Sequence, residues 1–185
     1  MSVAPNEEDR EMVHAVLTGQ AGAFERLLRQ HQRLVWLLVQ RLVREPEAAR
    51  ELCQEVFLRV SRQLAGFRFE SRLSTWIGRI ATSVALRHLE KQRIDTIEFD
   101  AELHDLGHED TPAHLLDRAQ RLQRLRDAID ALPPMPRLCL TLFHLEELPI
   151  AEVAALTHLP EGTVKSHLHR GRDRLRALLE NHDEA

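Results

Sequence analysis

Leu148-Pro149-Ile150-Ala151-Glu152-Val153-Ala154-Ala155-Leu156 runs into Thr157-His158-Leu159-Pro160-Glu161-Gly162-Thr163-Val164-Lys165-Ser166-His167-Leu168-His169-Arg170-Gly171-Arg172. The stretch reads as a short helix, a break at Leu159-Pro160, and a second, basic helix. Ile150, Val153, Ala154 and Leu156 make one apolar face; Val164, Leu168, Leu175 and Leu179 make another, at helical spacings of four, seven and four. Two helices burying such faces against each other across a turn form a helix-turn-helix. The second helix then offers Lys165, Ser166, His169, Arg170 and Arg172 outward. Cations suit phosphate and polar tips suit base edges, a mix fitted to a DNA major groove.

Upstream, the chain continues as helix. Leu, Ala, Arg and Glu dominate, there is no Tyr, and no β-branched run alternates as a strand would, so the 185 residues predict an all-α fold. Residues 8–18 make a short helix. From Ala21, apolar residues from Phe24 to Leu42 recur at three and four, ending at Arg44-Glu45-Pro46 because the residue before Pro avoids helical backbone. A helix from about Glu47 to Leu64 turns Leu52, Val56, Phe57, Val60 and Leu64 inward. After the loop Gly66–Ser71, a third runs from about Ser74 to Gln92, with Ser71 or Ser74 as its N-cap. Helices resume at 112–131 and 136–145. No apolar run approaches a membrane span, and the first residues lack a signal-peptide core, so no membrane insertion and a cytoplasmic location are expected. Cys53 and Cys139 each sit in an apolar pattern and read as free, buried thiols.

The net charge of −4 conceals a strong asymmetry. Residues 21–95 carry 14 basic and 8 acidic side chains, residues 96–117 carry seven acids and no Lys or Arg, and residues 118–185 carry ten of each sign. A basic block, an acidic flexible linker and a second helical domain follow one another, which speaks for a polyanionic partner. On the helix over 47–64, Glu51, Gln54, Glu55, Leu58 and Arg62 form one stripe opposite the Leu52–Val56–Val60 face. A leucine inside a polar stripe suggests a partner surface. Phe67, Phe69 and Trp76 lie among Arg68, Arg72, Arg79 and Arg87, and aromatics among cations suit unpaired DNA, where rings stack on bases and Arg holds the backbone. No nucleophile–base pair, Gly-rich phosphate loop or H-E-x-x-H occurs, and His167 and His169 diverge around their helix. No enzyme activity, cofactor or metal site is expected.

Several of these stretches together resemble one family. They are Gln54-Glu55-Val56-Phe57-Leu58-Arg59, Phe67-Arg68, Ser74-Thr75-Trp76-Ile77-Gly78-Arg79-Ile80-Ala81, Leu132-Pro133-Pro134, Glu152-Val153-Ala154 and Gly162–Arg170. In this order, with an acidic linker between the two blocks, the chain resembles a bacterial RNA polymerase sigma factor of the extracytoplasmic-function class of the sigma-70 family, over about residues 20–180. The resemblance implies transcription initiation and stress response, with core RNA polymerase and promoter DNA as partners and room for an anti-sigma factor as a third. It divides the chain into an N-terminal tail with a short helix (1–20), a region 2 domain (21–95), the linker (96–117) and a region 4 helix-turn-helix domain (118–182).

Residue by residue, the resemblance implies that Glu51, Gln54, Glu55, Leu58 and Arg62 grip a coiled coil of the polymerase large subunit. It gives Phe67, Arg68, Phe69, Trp76, Arg79, Ser83 and Arg87 to the promoter's minus-ten element, where a strand is opened and a base extruded. Ser83 departs from the Asn common in the family and lacks the amide pair that reads adenine, which leaves the minus-ten preference open at this position. It gives Thr163, Lys165, Ser166, His169, Arg170 and Arg172 to the minus-thirty-five element, and threads the acidic linker through the polymerase cleft as an RNA mimic. A dimeric, stand-alone helix-turn-helix regulator, or an interaction module that no longer reads DNA, are the rival readings.

Overall fold

The computed structural model describes residues 7–96 and 123–183, with side chains for 7–92 and 123–180. Helix is the only regular structure among them: α1 (Glu7–Leu17), α2 (Ala23–Leu42), α3 (Pro46–Gln63), a 3-10 turn (Leu64–Gly66), α4 (Leu73–Thr96), α5 (123–130), α6 (Pro134–Leu140) with a π-helical turn (Thr141–Leu145), α7 (Ile150–Thr157) and α8 (Glu161–Asp183). The all-α expectation holds. No helix among the described residues is long and apolar enough to cross a membrane.

Local chemistry sets the boundaries. α2 starts at Ala23, two residues later than the pattern suggests, because Gly19 and Gly22 adopt φ of 71° and 72° in the reversal after α1. α3 opens on Pro46 in its first turn, where a missing N–H costs nothing. The segment expected as one helix over 136–145 begins earlier, at Pro134, and widens after Leu140, where Glu146 N donates to Thr141 O at 3.0 Å. The N-cap expected at Ser71 or Ser74 is supplied from elsewhere: Leu73 N donates to Asp9 Oδ2 of α1 at 3.0 Å, and Ser71 Oγ instead donates to Arg72 O.

α2, α3 and α4 pack around Leu27, Leu38, Leu42, Val56, Val60 and Ile77, with α1 laid on α2 through Val13. In the second half, α6, α7 and α8 enclose Leu138, Leu142, Val153, Val164 and Leu168. The two buried groups are continuous: α7 lies on α4 and α6 on α2, so one apolar core runs across both halves. The contact is close because Gly78 of α4 has no side chain; a Cβ there would stand 2.5 Å from Leu156 Cδ2. Both cysteines are free, and burial pushes each thiol up to about 11, so they are protonated at neutral pH.

Two histidines make stability depend on pH. His31 lies in the core of the first half and its Nε2 has no hydrogen-bond partner; burial lowers its pKa below the usual 6.5, partly opposed by the Asp9 carboxylate. His167 is lowered too, by burial first and Arg170 second. A lowered native pKa means that the unfolded chain takes up protons first on acidification. Stability should therefore be level above about pH 6.5, fall as pH drops toward the native values, and level again below them. Thermal melting between pH 7.5 and 5 should show this fall, and His31→Leu should flatten it. A melting temperature independent of pH in the wild-type chain would contradict the assignment.

Candidate nucleic-acid interface

The turn before α8 is built by His158, which takes a left-handed conformation (φ 58°) at the end of α7, letting Leu159 N reach Ala154 O at 3.1 Å. Pro160 then starts α8, its carbonyl accepting from Thr163 N and Val164 N. Inside, Val164, Leu168 and Gly171 are buried as α8 packs on α6 and α7; a Cβ on Gly171 would meet Leu140 Cδ1 at 2.7 Å, so α8 and α6 touch at that point. Outside, Lys165, Ser166, His169, Arg170 and Arg172 are all exposed, and Thr163 is half-buried. Ser166 Oγ donates to Gly162 O at 3.0 Å, and His169 Nδ1 lies 3.2 Å from Asp173 Oδ2.

On α3, Glu51, Gln54, Leu58 and Arg62 are exposed, Leu58 to 52%, while Glu55 is half-buried and paired with Arg59 Nε at 2.6 Å. The stripe borders an apolar groove of about 790 Å³ between α2 and α3, walled by Phe24, Leu28, Trp36, Phe57 and Leu58. Sequence reasoning missed this extension. Its signal was Trp36, a large aromatic lying off the Val35–Leu38–Val39 stripe that α2 buries.

The aromatic loop is a stack. Phe67 is buried, with Phe69 at 4.8 Å and Trp76 at 5.3 Å between ring centroids, both tilted. Phe67 thus forms the floor, and the half-buried Phe69 and Trp76 are the rings nearer the surface. Arg68 and Arg72 of the same loop are exposed, as are Ser83 and Arg87 further along α4. Arg79 is turned away: its Nε donates to Ala155 O of α7 at 3.0 Å, beside Thr82 Oγ1, which donates to Leu156 O at 3.2 Å. Cations belong at helix C-termini, where carbonyls lack partners and the dipole is negative.

Family models match in two blocks, Sigma-70 region 2 over residues 27–94 and Sigma-70 region 4 over residues 122–175. Likeness to whole proteins extends further. The RNA polymerase sigma-H factor of Pseudomonas aeruginosa is 30% identical over 183 residues, covering 94% of this chain and 95% of that one. The ECF RNA polymerase sigma-E factors of Haemophilus influenzae and Escherichia coli are 31% and 32% identical, covering 94% and 89% of this chain and 94% and 91% of theirs. The chain belongs to the extracytoplasmic-function class of sigma-70 factors. Solved structures agree on the fold: CnrH in complex with the cytosolic domain of CnrY (TM-score 0.62, 20% identity, 95% of this chain and 99% of that one) and the sigma factor RpoE of Bartonella quintana with the anti-sigma factor NepR (TM-score 0.65, 20% identity, 86% and 98%).

As a sigma factor, the chain directs RNA polymerase to promoters and initiates transcription there, and it is not an enzyme. The stand-alone regulator gives way to this reading. The sigma factor also holds a residue that the sequence did not single out. Arg137 of α6 is 2% exposed; its Nε donates to Arg41 O at 2.7 Å, Nη2 to Leu42 O at 3.0 Å and Nη1 to Asp130 O at 3.0 Å. It closes the C-terminus of α2 from the other half of the molecule. Burial first, then the Arg44 charge, lowers its pKa to about 10, so it remains a cation at neutral pH. The acidic linker, 96–117, lies outside the described residues save for Thr96.

Proposed function

We propose that this sigma factor meets its partners on three faces. Glu51, Gln54, Glu55, Leu58 and Arg62, with the groove beside them, receive core RNA polymerase. Arg68, Phe69, Trp76, Arg79, Ser83 and Arg87, over the floor of Phe67, hold the opened minus-ten strand; Thr163, Lys165, Ser166, His169, Arg170 and Arg172 read the minus-thirty-five duplex. We assign 21–95 and 118–182 to the two DNA-binding domains, place the chain in the cytoplasm, and extend to it the anti-sigma class of partner with which the Bartonella protein was solved. The observation that carries this reading is α8: it is buried at Val164, Leu168 and Gly171, while Lys165, Ser166, His169 and Arg172 are exposed at offsets that one groove can receive, with Arg170 exposed beside them.

Arg172 is exposed in the last turn of that face. Arg172→Ala should weaken binding of holoenzyme to a minus-thirty-five duplex by about 1–3 kcal/mol and relax preference at one base pair, as loss of a bidentate guanine contact does. Binding to a panel of single-base variants checks it. Equal loss on every sequence would make Arg172 a phosphate contact; no loss would remove it from the face.

A further inference from the structure

α1 belongs to no element of the reading above, yet two adjacent residues tie it to the loop that the reading gives to the minus-ten strand. We infer that Asp9 and Arg10 are positioning residues for minus-ten recognition: Asp9 fixes the first turn of α4, Arg10 fixes the ring of Phe69, and together they set the shape of the loop between. The inference rests on the assignment of loop 67–72 and α4 to the minus-ten strand.

Asp9 is 8% exposed and its Oδ2 accepts from Leu73 N at 3.0 Å. Leu73 opens α4 and is itself 1% exposed, so water cannot readily serve that amide. Helix-opening amides need an acceptor, and a buried one without it is costly. A carboxylate at that end is also favoured by the helix dipole. The local candidate, Ser71, is buried and spends its hydroxyl on Arg72 O. The acceptor therefore comes from 64 residues upstream, on a helix seated by Val13 at 1% exposure.

The second tie is on the loop itself. Phe69 has φ of 57°, a left-handed conformation that a bulky side chain adopts only when its surroundings hold it there. Phe67 packs on its ring at 4.8 Å between centroids, and the Arg10 guanidinium lies 5.0 Å from the ring centroid, a cation–π contact. The strained residue is thus gripped by the buried aromatic floor and by α1. Arg68, Glu70 and Arg72 alternate along the same six-residue loop, so the direction of each depends on the conformation held at Phe69 and on where α4 begins. A strand reader depends on such fixed directions, because stacking rings and phosphate-holding cations must meet successive nucleotides together.

The test uses holoenzyme assembled with the full chain and fluorescent single-stranded oligonucleotides, a minus-ten sequence and its single-base variants. Asp9→Ala should lower the ratio of best to worst oligonucleotide affinity about fivefold, the size of a lost cap. It should leave minus-thirty-five duplex binding and core polymerase binding unchanged. Asp9→Asn keeps an acceptor and should restore most of the ratio. Arg10 is exposed, so Arg10→Ala folds without difficulty and should lower the same ratio by a smaller factor. An unchanged ratio in both alanine variants, or a loss that Asp9→Asn does not repair and that is equal on all oligonucleotides, overturns the inference. Trp76→Ala separates the two levels. If it leaves oligonucleotide binding intact, the minus-ten reading of the loop fails; if it weakens binding while the Asp9 and Arg10 variants do not, only the role of α1 fails.

Discussion

A sigma factor carrying Gln54→Glu and Leu58→Glu should lose core RNA polymerase altogether while keeping its helix content and melting temperature. Both side chains are exposed, so neither substitution empties a core position, and surface changes of this kind move stability by about 0.5 kcal/mol or less. Their effect falls on the partner. Leu58 and Gln54 line a groove whose other walls include Phe24, Leu28, Arg33, Trp36 and Phe57. Docking there would bury two new carboxylates against a largely aromatic and aliphatic surface, where Arg33 is the one cation among the groove's lining residues, so at least one carboxylate stays unpaired. An unpaired buried charge costs several kcal/mol, enough to weaken affinity by about a hundredfold or more. Co-purification with core enzyme at wild-type yield would remove α3 from the interface.

The second large effect is on shape. Arg137→Ala combined with Gly78→Val should part the two halves. Removing the guanidinium leaves Arg41 O, Leu42 O and Asp130 O without their donor, at about 1 kcal/mol or more each in a closed molecule, whereas water serves them in an open one. The valine adds a Cβ 2.5 Å from Leu156 Cδ2 and 3.3 Å from Leu38 Cδ1; Leu38 is fixed in its own core, so the clash is relieved by moving α7. Small-angle scattering should show a larger radius of gyration, with circular dichroism unchanged. An unchanged radius would mean that the two halves are held by something other than these contacts.

What could be read from the sequence follows from where each interaction partner lies. α2 and α8 were legible because their buried residues repeat along one stripe, and a stripe is a local property. The cap of α4 was not: Ser71 and Ser74 stand where a cap should, and only the fold brings Asp9 to Leu73. Arg137 sits between prolines and apolar residues, with two of its three acceptors 95 and 96 positions away, so no pattern around it announces burial. His158 occupies a position where Gly or Asn would advertise a left-handed turn. Of the candidate site, the α8 set is exposed except for the half-buried Thr163, and the α3 stripe except for Glu55, which pairs with Arg59. The loop is exposed in part, since Phe67 proved to be its floor and Arg79 faces α7.

That last orientation has a thermodynamic consequence. Arg79 and Thr82 donate to Ala155 O and Leu156 O near the end of α7, so any anion that binds Arg79, the proposed minus-ten strand included, has to compete with the protein's own backbone. A ligand that needs the parted form sees an affinity divided by the fraction of molecules already parted; a hundred-to-one preference for the packed form weakens it about a hundredfold, or about 2.7 kcal/mol. Linkage then works in both directions. Whatever binds the uncovered face of α4 favours the freeing of α7, and whatever holds α7 away strengthens binding of that same ligand by the same factor. The two halves of the molecule would be coupled before any ligand is present, because α7 and a ligand of α4 draw on the same side-chain donors.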